Sequence, residues 1–413
     1  MRQIAIVGAG QSGLQLAIGL QRAGYVMTVI SAQTPQQIAD GRVTSSQCMF
    51  ASALAHERDV QANFWDDTCP PVSGIQLTVA TGEAQKAFEW AARLDAPARS
   101  VDQRVKMPRW IEEFSRLGGN FRVQQAGVVE LEQLAQEHDL VIVAAGKGEV
   151  AALFTRDEVN SPFAKPMRAL ALTYVQGLRP REDYSAVCFN LIPGVGEYFV
   201  FPALTTSGSC EIMVFEGVPG GPMDCWTDAT SPHKHLETSL AILKQFLPWE
   251  YDRATRVRLT DANAILSGRF APTVRKPVAS LPSGRPILGM GDVVCLNDPI
   301  TGQGSNNASK CAASYLKSIV SHGRGDFDPA WMNKTFVNFW EYARMVTSWT
   351  NGMLQPPPPH AVQLLAAAAA KPSIASWFAN GFNDPARFGP VLADPAATGD
   401  DVREVARRGD VSE

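Results

Sequence analysis

The chain has 413 residues, enough for two or three lobes rather than one core. Hydrophobic residues make up 45% and charged residues 19%, the balance of a folded protein and not of a disordered one. Lys and Arg number 37 against 41 Asp and Glu, a net charge of −4 without a basic stripe, which argues against a nucleic-acid partner; no apolar run reaches the ~18 residues of a membrane span.

Residues 4–7 read as a buried parallel strand, and because it starts so early no targeting segment is expected ahead of it. The strand runs into Gly8-Ala9-Gly10-Gln11-Ser12-Gly13, then an apolar helix ended by Gly24 and a second strand at 26–30. Strand, GxGxxG, helix, strand is the dinucleotide-binding fingerprint in its required context. Gly8 allows the tight turn, Gly10 lets backbone approach a pyrophosphate, and Gly13 lets helix pack on strand. With Gln11 and Ser12 at the helix N-terminus, where free N–H groups and the dipole favour phosphate, these are candidate cofactor residues. The acidic residue that usually follows the second strand is missing: the sequence reads Ser31-Ala32-Gln33-Thr34-Pro35. Arg42 stands nearby to stack on adenine or pair with phosphate, and weak retention of the dinucleotide is the expectation.

From Met49 to Phe64 apolar residues recur at helical spacing. Short strands are expected at 75–79 and 87–90, helices at 108–117 and 131–137, and a central parallel strand at 140–146. From Arg168 the pattern turns antiparallel, with strands at 169–175, 186–192, 198–202 and 210–216, broken by an amphipathic helix at 235–247. His233-Lys-His235 reads as a solvated helix start and not a metal site. The chain returns to the first lobe with a strand at 286–292, then Asp298-Pro-Ile-Thr-Gly302-Gln303-Gly304 opens a helix to about 320. The last third is helical and aromatic around Trp331, Trp340 and Trp349, with a proline break at 356–359 and a mobile tail from Asp394. Seven scattered cysteines, odd in number and never in CxxC spacing, read as reduced thiols of a cytoplasmic protein.

GxGxxG at the N-terminus, paired with the late Gly291-Asp292 and Asp298-Pro-x-x-Gly-Gln-Gly304, resembles the flavoprotein hydroxylase superfamily. That resemblance implies an α/β protein: a Rossmann-type FAD-binding domain of the glutathione-reductase-like fold, a β-rich substrate domain and a C-terminal helical region. The expected divisions are 1–44, 97–165 and 258–330 for FAD, 45–96 and 166–257 for substrate, and 331–413 for the helices and tail. The resemblance puts Asp292 at the ribityl or ribose and Pro299, Gly302, Gln303 and Gly304 at the pyrimidine edge of the flavin. Single-component members carry an Asp-Gly motif after the strand ending near Gly146. Here that stretch reads Lys147-Gly148-Glu149, and no second GxGxxG exists for a nicotinamide cofactor. An oxygenase component that receives reduced FAD from a separate NADH-dependent flavin reductase is implied.

Three further motifs, Asn160-Ser-Pro-Phe-x-Lys-Pro-x-Arg168-Ala-Leu, Ala96-Pro-x-Arg99-x-Val-Asp102 and Ser348-Trp-Thr-Asn351, are similar to the styrene/indole monooxygenase family over nearly the whole chain. The family relation implies flavin contacts at Arg42 and Arg99. Styrene-type members have Asn, Val and His spaced two apart after that first arginine. Here the positions are Ser45, Gln47 and Met49, the indole-type pattern, with Val72, Ile75 and Ala98 as its substrate-wall members. In such a site reduced FAD and O₂ give a C4a-hydroperoxide that epoxidises the C2=C3 bond of indole, leading to indoxyl and indigo; styrene-like alkenes and sulfides are further substrates. No metal is required. A styrene epoxidase, a single-component NADPH-dependent aromatic hydroxylase and a non-catalytic flavin-binding redox sensor are the alternatives. A halogenase is disfavoured, because no Trp-x-Trp-x-Ile-Pro motif is present. Monomer and homodimer are both open.

Overall fold

Four consecutive apolar residues suit a strand covered on both faces, and they form β1 (Gln3–Val7) in the middle of a sheet. The computed structural model describes residues 2–146, 148–228 and 231–388, so Lys147 and the expected tail from Asp394 lie outside the described residues. Helix α1 (Gln11–Arg22) and strand β2 (Val26–Ser31) follow β1. Next come helices α2 (Pro35–Ala39) and α3 (Ala51–Asp59), the hairpin β3 (Pro71–Ala80) and β4 (Lys86–Arg99), and helix α4 (Gln103–Arg116). Strand β5 (Asn120–Val123), helix α5 (Val128–Glu137), strand β6 (Leu140–Val143) and helix α6 (Glu149–Ala152) complete the first half.

Four long strands come next, β7 (Ala169–Gln176), β8 (Ala186–Ile192), β9 (Gly196–Thr205) and β10 (Gly208–Gly217), then helices α7 (Pro232–Phe246) and α8 (Pro248–Ala254). Short strands follow: β11 (Arg258–Leu259), β12 (Ile265–Gly268), β13 (Thr273–Val274), β14 (Val278–Ser280), β15 (Pro286–Gly289) and β16 (Cys295–Leu296). Helices α9 (Gly304–His322), α10 (Pro329–Met353), α11 (Pro359–Ala370) and α12 (Pro372–Gly381) end the described chain.

The first sheet runs β14-β15-β6-β1-β2-β5, parallel except at β14–β15. The chain leaves it for the β3–β4 hairpin, returns for β5 and β6, leaves again for β7 to β12 and returns for β14 and β15, so its loops gather residues distant in sequence. The second sheet runs β11-β7-β10-β9-β8-β3-β4, with β12 also on β7, and only β3–β8 is parallel. Alternation gives it two buried faces. Ile75, Val187, Phe189, Phe199, Phe201 and Tyr174 share the face toward α12. Cys188, Tyr198, Val200, Met213 and Phe215 share the other, against α7 and α8. Among the described residues no helix is long and apolar enough to cross a membrane.

Several elements depart from the sequence expectation. Residues 43–48 form neither helix nor strand, and the expected helix over 49–64 is only α3, ended by Gln61 in the left-handed region at φ 54°. β4 is far longer than 87–90, because only Trp90, Ala92 and Ala98 are buried among exposed neighbours and the apolar signal is thin. Helix α4 begins five residues before Pro108, since Asp102 caps it by accepting the Arg104 N–H at 2.9 Å. His235 is buried against Trp226 with ring centroids 4.7 Å apart, rather than solvated.

Candidate active site

The three loops at the C-terminal edge of the first sheet meet at one point, where ligands bind in open α/β sheets. Gly8, at φ 120°, lies so close to Ala144 and Ala145 that a Cβ would stand 2.8 Å from their backbone. A Cβ on Gly13 would lie 2.2 Å from the Gly8 carbonyl oxygen, which is the tight helix-on-strand contact the motif requires. Gly146 is pressed likewise against Asp292, which is exposed at the same edge. Ser12 is buried beside Gly291, and Gln11 is buried below. Gly10 differs: it is the N-cap of α1, no side chain caps the helix there, and a Cβ would meet nothing within 4 Å.

The second glycine-rich loop has the same character. Pro299 begins a single turn that closes on Gly302 in the left-handed region, and Gln303 then caps α9 without a side-chain hydrogen bond. A Cβ on Gly302 or Gly304 would again meet nothing within 4 Å. Gln303 is fully buried; its amide nitrogen donates to the Phe382 carbonyl at 3.0 Å, and its Oε1 receives nothing. Two uncapped helix N-termini with open glycines, one on each side of Asp292, make a donor set that a dinucleotide fits. Arg42 is exposed beyond α2. The Arg99 guanidinium turns to the Asp66 carbonyl at 3.2 Å, and its Nε is buried without a partner.

Segment 43–50 lies between these loops and the second sheet. Its backbone is held from two sides. Met49 and Arg99 exchange backbone hydrogen bonds of 2.8 and 2.9 Å, and the Asn306 amide of α9 accepts from Phe50 N and donates to the Cys48 carbonyl, both at 2.8 Å. Ser45 and Gln47 come together: the Ser45 hydroxyl donates to Gln47 Oε1 at 2.9 Å. Gln103 donates to that hydroxyl at 3.0 Å, and Gln47 Nε2 donates to Tyr174 Oη at 3.2 Å. The Tyr174 hydroxyl closes the network on the Ser45 carbonyl at 2.8 Å. Burial holds the Tyr174 hydroxyl well above its usual range, so it stays a neutral donor. Met49 does not join this network. It packs on Ala53 and Leu54, and its sulfur lies 3.2 Å from Lys106 Nζ. Lys106 in turn pairs with Glu57 at 2.5 Å, and Gln11 donates to the same carboxylate at 2.9 Å.

Val72, Ile75 and Ala98 are fully buried in the apolar face of the second sheet, Val72 opposite Ala98 in register. A cavity of about 10 Å³ opens against that face. Ser46, Cys48 and Phe50 line it, the residues interleaved with Ser45, Gln47 and Met49, together with Phe189, Phe199 and Gly302. Phe382, from the turn after α12, closes it. Burial pushes the Cys48 thiol far up, so it is apolar wall and not nucleophile. All seven cysteines are free thiols, and among the described residues no cluster of His, Cys, Asp and Glu could hold a metal ion. Lys106, Glu57, Gln103, Tyr174 and Asn306 were not foreseen. Only Asn306, two residues past the second glycine loop, carried a positional hint.

A family model described as "Styrene monooxygenase A putative substrate binding domain" matches residues 146–253, the stretch that holds β7 to β10 and α7. Styrene monooxygenase StyA of Pseudomonas fluorescens is 27% identical over 412 residues, covering 96% of this chain and 97% of that protein. These matches support a flavoprotein akin to the styrene monooxygenases. The similarity indicates a flavin-dependent monooxygenase and implies FAD as the cofactor. Solved structures bear out the expected FAD-binding fold. A flavoprotein/dehydrogenase from Cytophaga hutchinsonii has a TM-score of 0.68 at 12% identity, covering 99% of both chains. The p-nitrophenol 4-monooxygenase PnpA from Pseudomonas putida has a TM-score of 0.63 at 14% identity, covering 94% of this chain and 99% of that one.

Proposed function

We propose that this protein is the oxygenase component of a two-component monooxygenase, that it takes reduced FAD from an NADH-dependent flavin reductase, and that it epoxidises the C2=C3 bond of indole. The observation that carries the reading is the cavity at Gly302: aromatic on its sheet side, without a charged lining residue, and touching the loop assigned to the flavin. A flat, neutral, electron-rich substrate suits such walls. Reduced FAD with O₂ supplies an electrophilic oxygen atom, the second oxygen leaving as water with the two electrons of the flavin.

This chain's residues then have three tasks. Gly8, Gly10, Gln11, Ser12 and Gly13 bind the pyrophosphate half, Arg42 and Arg99 stand at its flanks, and Asp292, Pro299, Gly302, Gln303 and Gly304 take the flavin half. Val72, Ile75 and Ala98, with the phenylalanines around them, exclude water from the reacting atoms. Ser45 and Gln47 orient the substrate. Gln47 Oε1 accepts from Ser45 and keeps a second lone pair for the indole N–H, while Tyr174 fixes which way the amide faces. Met49 keeps the Lys106 amine turned from the substrate side. The FAD unit comprises 1–44, 97–165 and 258–330 and the substrate unit 45–96 and 166–257, with the helical region from 331 closing the cavity.

The test supplies an NADH-dependent FAD reductase, NADH and either indole or styrene. Blue pigment from indole, with slower epoxide formation from styrene, is the expected result; turnover of styrene alone, or NADPH oxidation by the isolated chain, overturns it. Gln47→Ala removes one neutral hydrogen bond, so indole oxidation falls about tenfold while hydrogen peroxide release rises. Unchanged indole oxidation and unchanged peroxide release contradict the assigned role.

A further inference from the structure

Four ionisable side chains meet between the second sheet and the loop that opens α9. Glu216 on β10 stands opposite Glu197 on β9 in register. Arg168, just before β7, grips Glu197 with two hydrogen bonds of 2.7 and 2.8 Å. Its remaining nitrogen is turned to the Met167 and Leu354 carbonyls, so the guanidinium is used up. Asp298 begins the flavin loop, and one of its oxygens accepts the Ile300 N–H at 3.1 Å.

Glu216 is fully buried, and neither of its oxygens receives a hydrogen bond from an N–H or hydroxyl group; the second oxygen of Asp298 receives none either. What faces Glu216 is Asp298, Glu197 and Arg168, with the Asp298 carboxyl set against its own. Two ionised carboxylates have no hydrogen to share, and three carboxylates around one guanidinium would leave two buried negative charges. One carboxyl must hold a proton. Asp298 has a backbone N–H to stabilise its charge, whereas Glu216 has no such donor and lies between two acids. Burial first, then the neighbouring Asp298, hold the Glu216 carboxyl well above its usual range.

We propose that Glu216 is a positioning residue for flavin binding: as a carboxylic acid it donates to Asp298 and ties the loop from Asp298 to Gly304 to the second sheet in its FAD-binding shape. The proposal rests on the assignment of that loop to FAD. A proton on Glu216 favours the tied loop, so the tie is complete at low pH and is lost as pH rises through the raised value of the folded protein.

The test titrates the full chain and its variants with FAD, followed by flavin fluorescence from about pH 7 to about pH 9.5. Glu216→Gln keeps an N–H donor toward Asp298 and is expected to bind FAD within about twofold of the unmodified protein at pH 7, whereas Glu216→Leu leaves the second Asp298 oxygen without a donor and binds about tenfold more weakly. FAD affinity of the unmodified protein falls toward alkaline pH, and that of Glu216→Gln stays flat. Equal affinities for the Leu variant and the unmodified protein, or parallel pH profiles for the Gln variant and the unmodified protein, overturn the proposal. Should Glu216→Leu fail to fold, the pH profiles decide alone. Gly304→Phe separates the two levels, because a Cβ there meets nothing within 4 Å and the ring extends toward the space assigned to flavin. If it leaves FAD affinity intact, the loop assignment fails and takes the proposal with it. If it abolishes binding while the pH profiles run parallel, the loop assignment stands and the proposal alone falls.

Discussion

Lys106→Met tests the buried ion pair beneath the first glycine loop. Lys106 Nζ lies 2.5 Å from Glu57, with the two side chains 3% and 1% exposed. Methionine matches the length of lysine without its charge, so the substitution leaves a carboxylate inside the protein with only the Gln11 amide N–H, at 2.9 Å, to stabilise it. Breaking one partner of such a pair costs about 3–5 kcal/mol. On a urea slope of about 3 kcal/mol/M the unfolding midpoint falls by about 1–2 M. FAD affinity falls as well, since Lys106 also donates to Gln11 Oε1 at 3.3 Å, and Gln11 is the first residue of α1. The paired replacement Glu57→Leu with Lys106→Met removes both charges and is expected to recover most of the lost stability. A loss under about 1 kcal/mol for Lys106→Met, or a double variant as unstable as the single one, refutes the idea that an uncompensated charge is what the substitution exposes.

His235 gives a pH signature. Burial lowers its imidazole to about 4, so it contributes stability that is present above about pH 6.5 and lost as pH falls through about 4. His235→Phe keeps the contact with Trp226 and removes the titration, so unfolding free energies from urea melts at pH 7 and pH 4.5 should differ less in the variant, by about 1–3 kcal/mol; equal losses refute it. Phe382 is one wall of the cavity at Gly302. A cavity of about 10 Å³ holds about one water and not a bicyclic ring, so substrate entry requires a lining side chain to move. Phe382→Ala removes a ring packed 5.7 Å from Phe50 and 5.1 Å from Trp349, lowers stability by about 3–5 kcal/mol and raises turnover of ring-substituted indoles relative to indole. Unchanged relative turnover places the entry elsewhere.

What could be read from the sequence was what local physics dictates. The strand–glycine–helix units around Gly10 and Gly304 were legible because glycines within them answer short-range demands, Gly8 and Gly13 a close approach and Gly302 a left-handed turn. The apolar run of β6 and the alternation of β7 to β10 were legible for the same reason. The residues that hold the site together were not. Lys106 and Glu57 are 49 positions apart, Tyr174 and Ser45 129, and Asn306 and Phe50 256. Each is an ordinary residue until the fold supplies its partner. Periodicity misled over 49–64, where Phe50 and Leu54 face different clusters because the chain is extended before α3 begins.

The way segment 43–50 is fastened has a consequence for how this enzyme class diversifies. The bonds that fix its course run from backbone to backbone at Met49 and Arg99, from the Asn306 amide to the main chain of residues 48 and 50, and from Tyr174 to the Ser45 carbonyl. None of them uses the side chains at 45, 47 or 49. Those three positions behave as interchangeable inserts on a fixed rail: different residue types can be mounted there without redrawing the path of the chain that carries them.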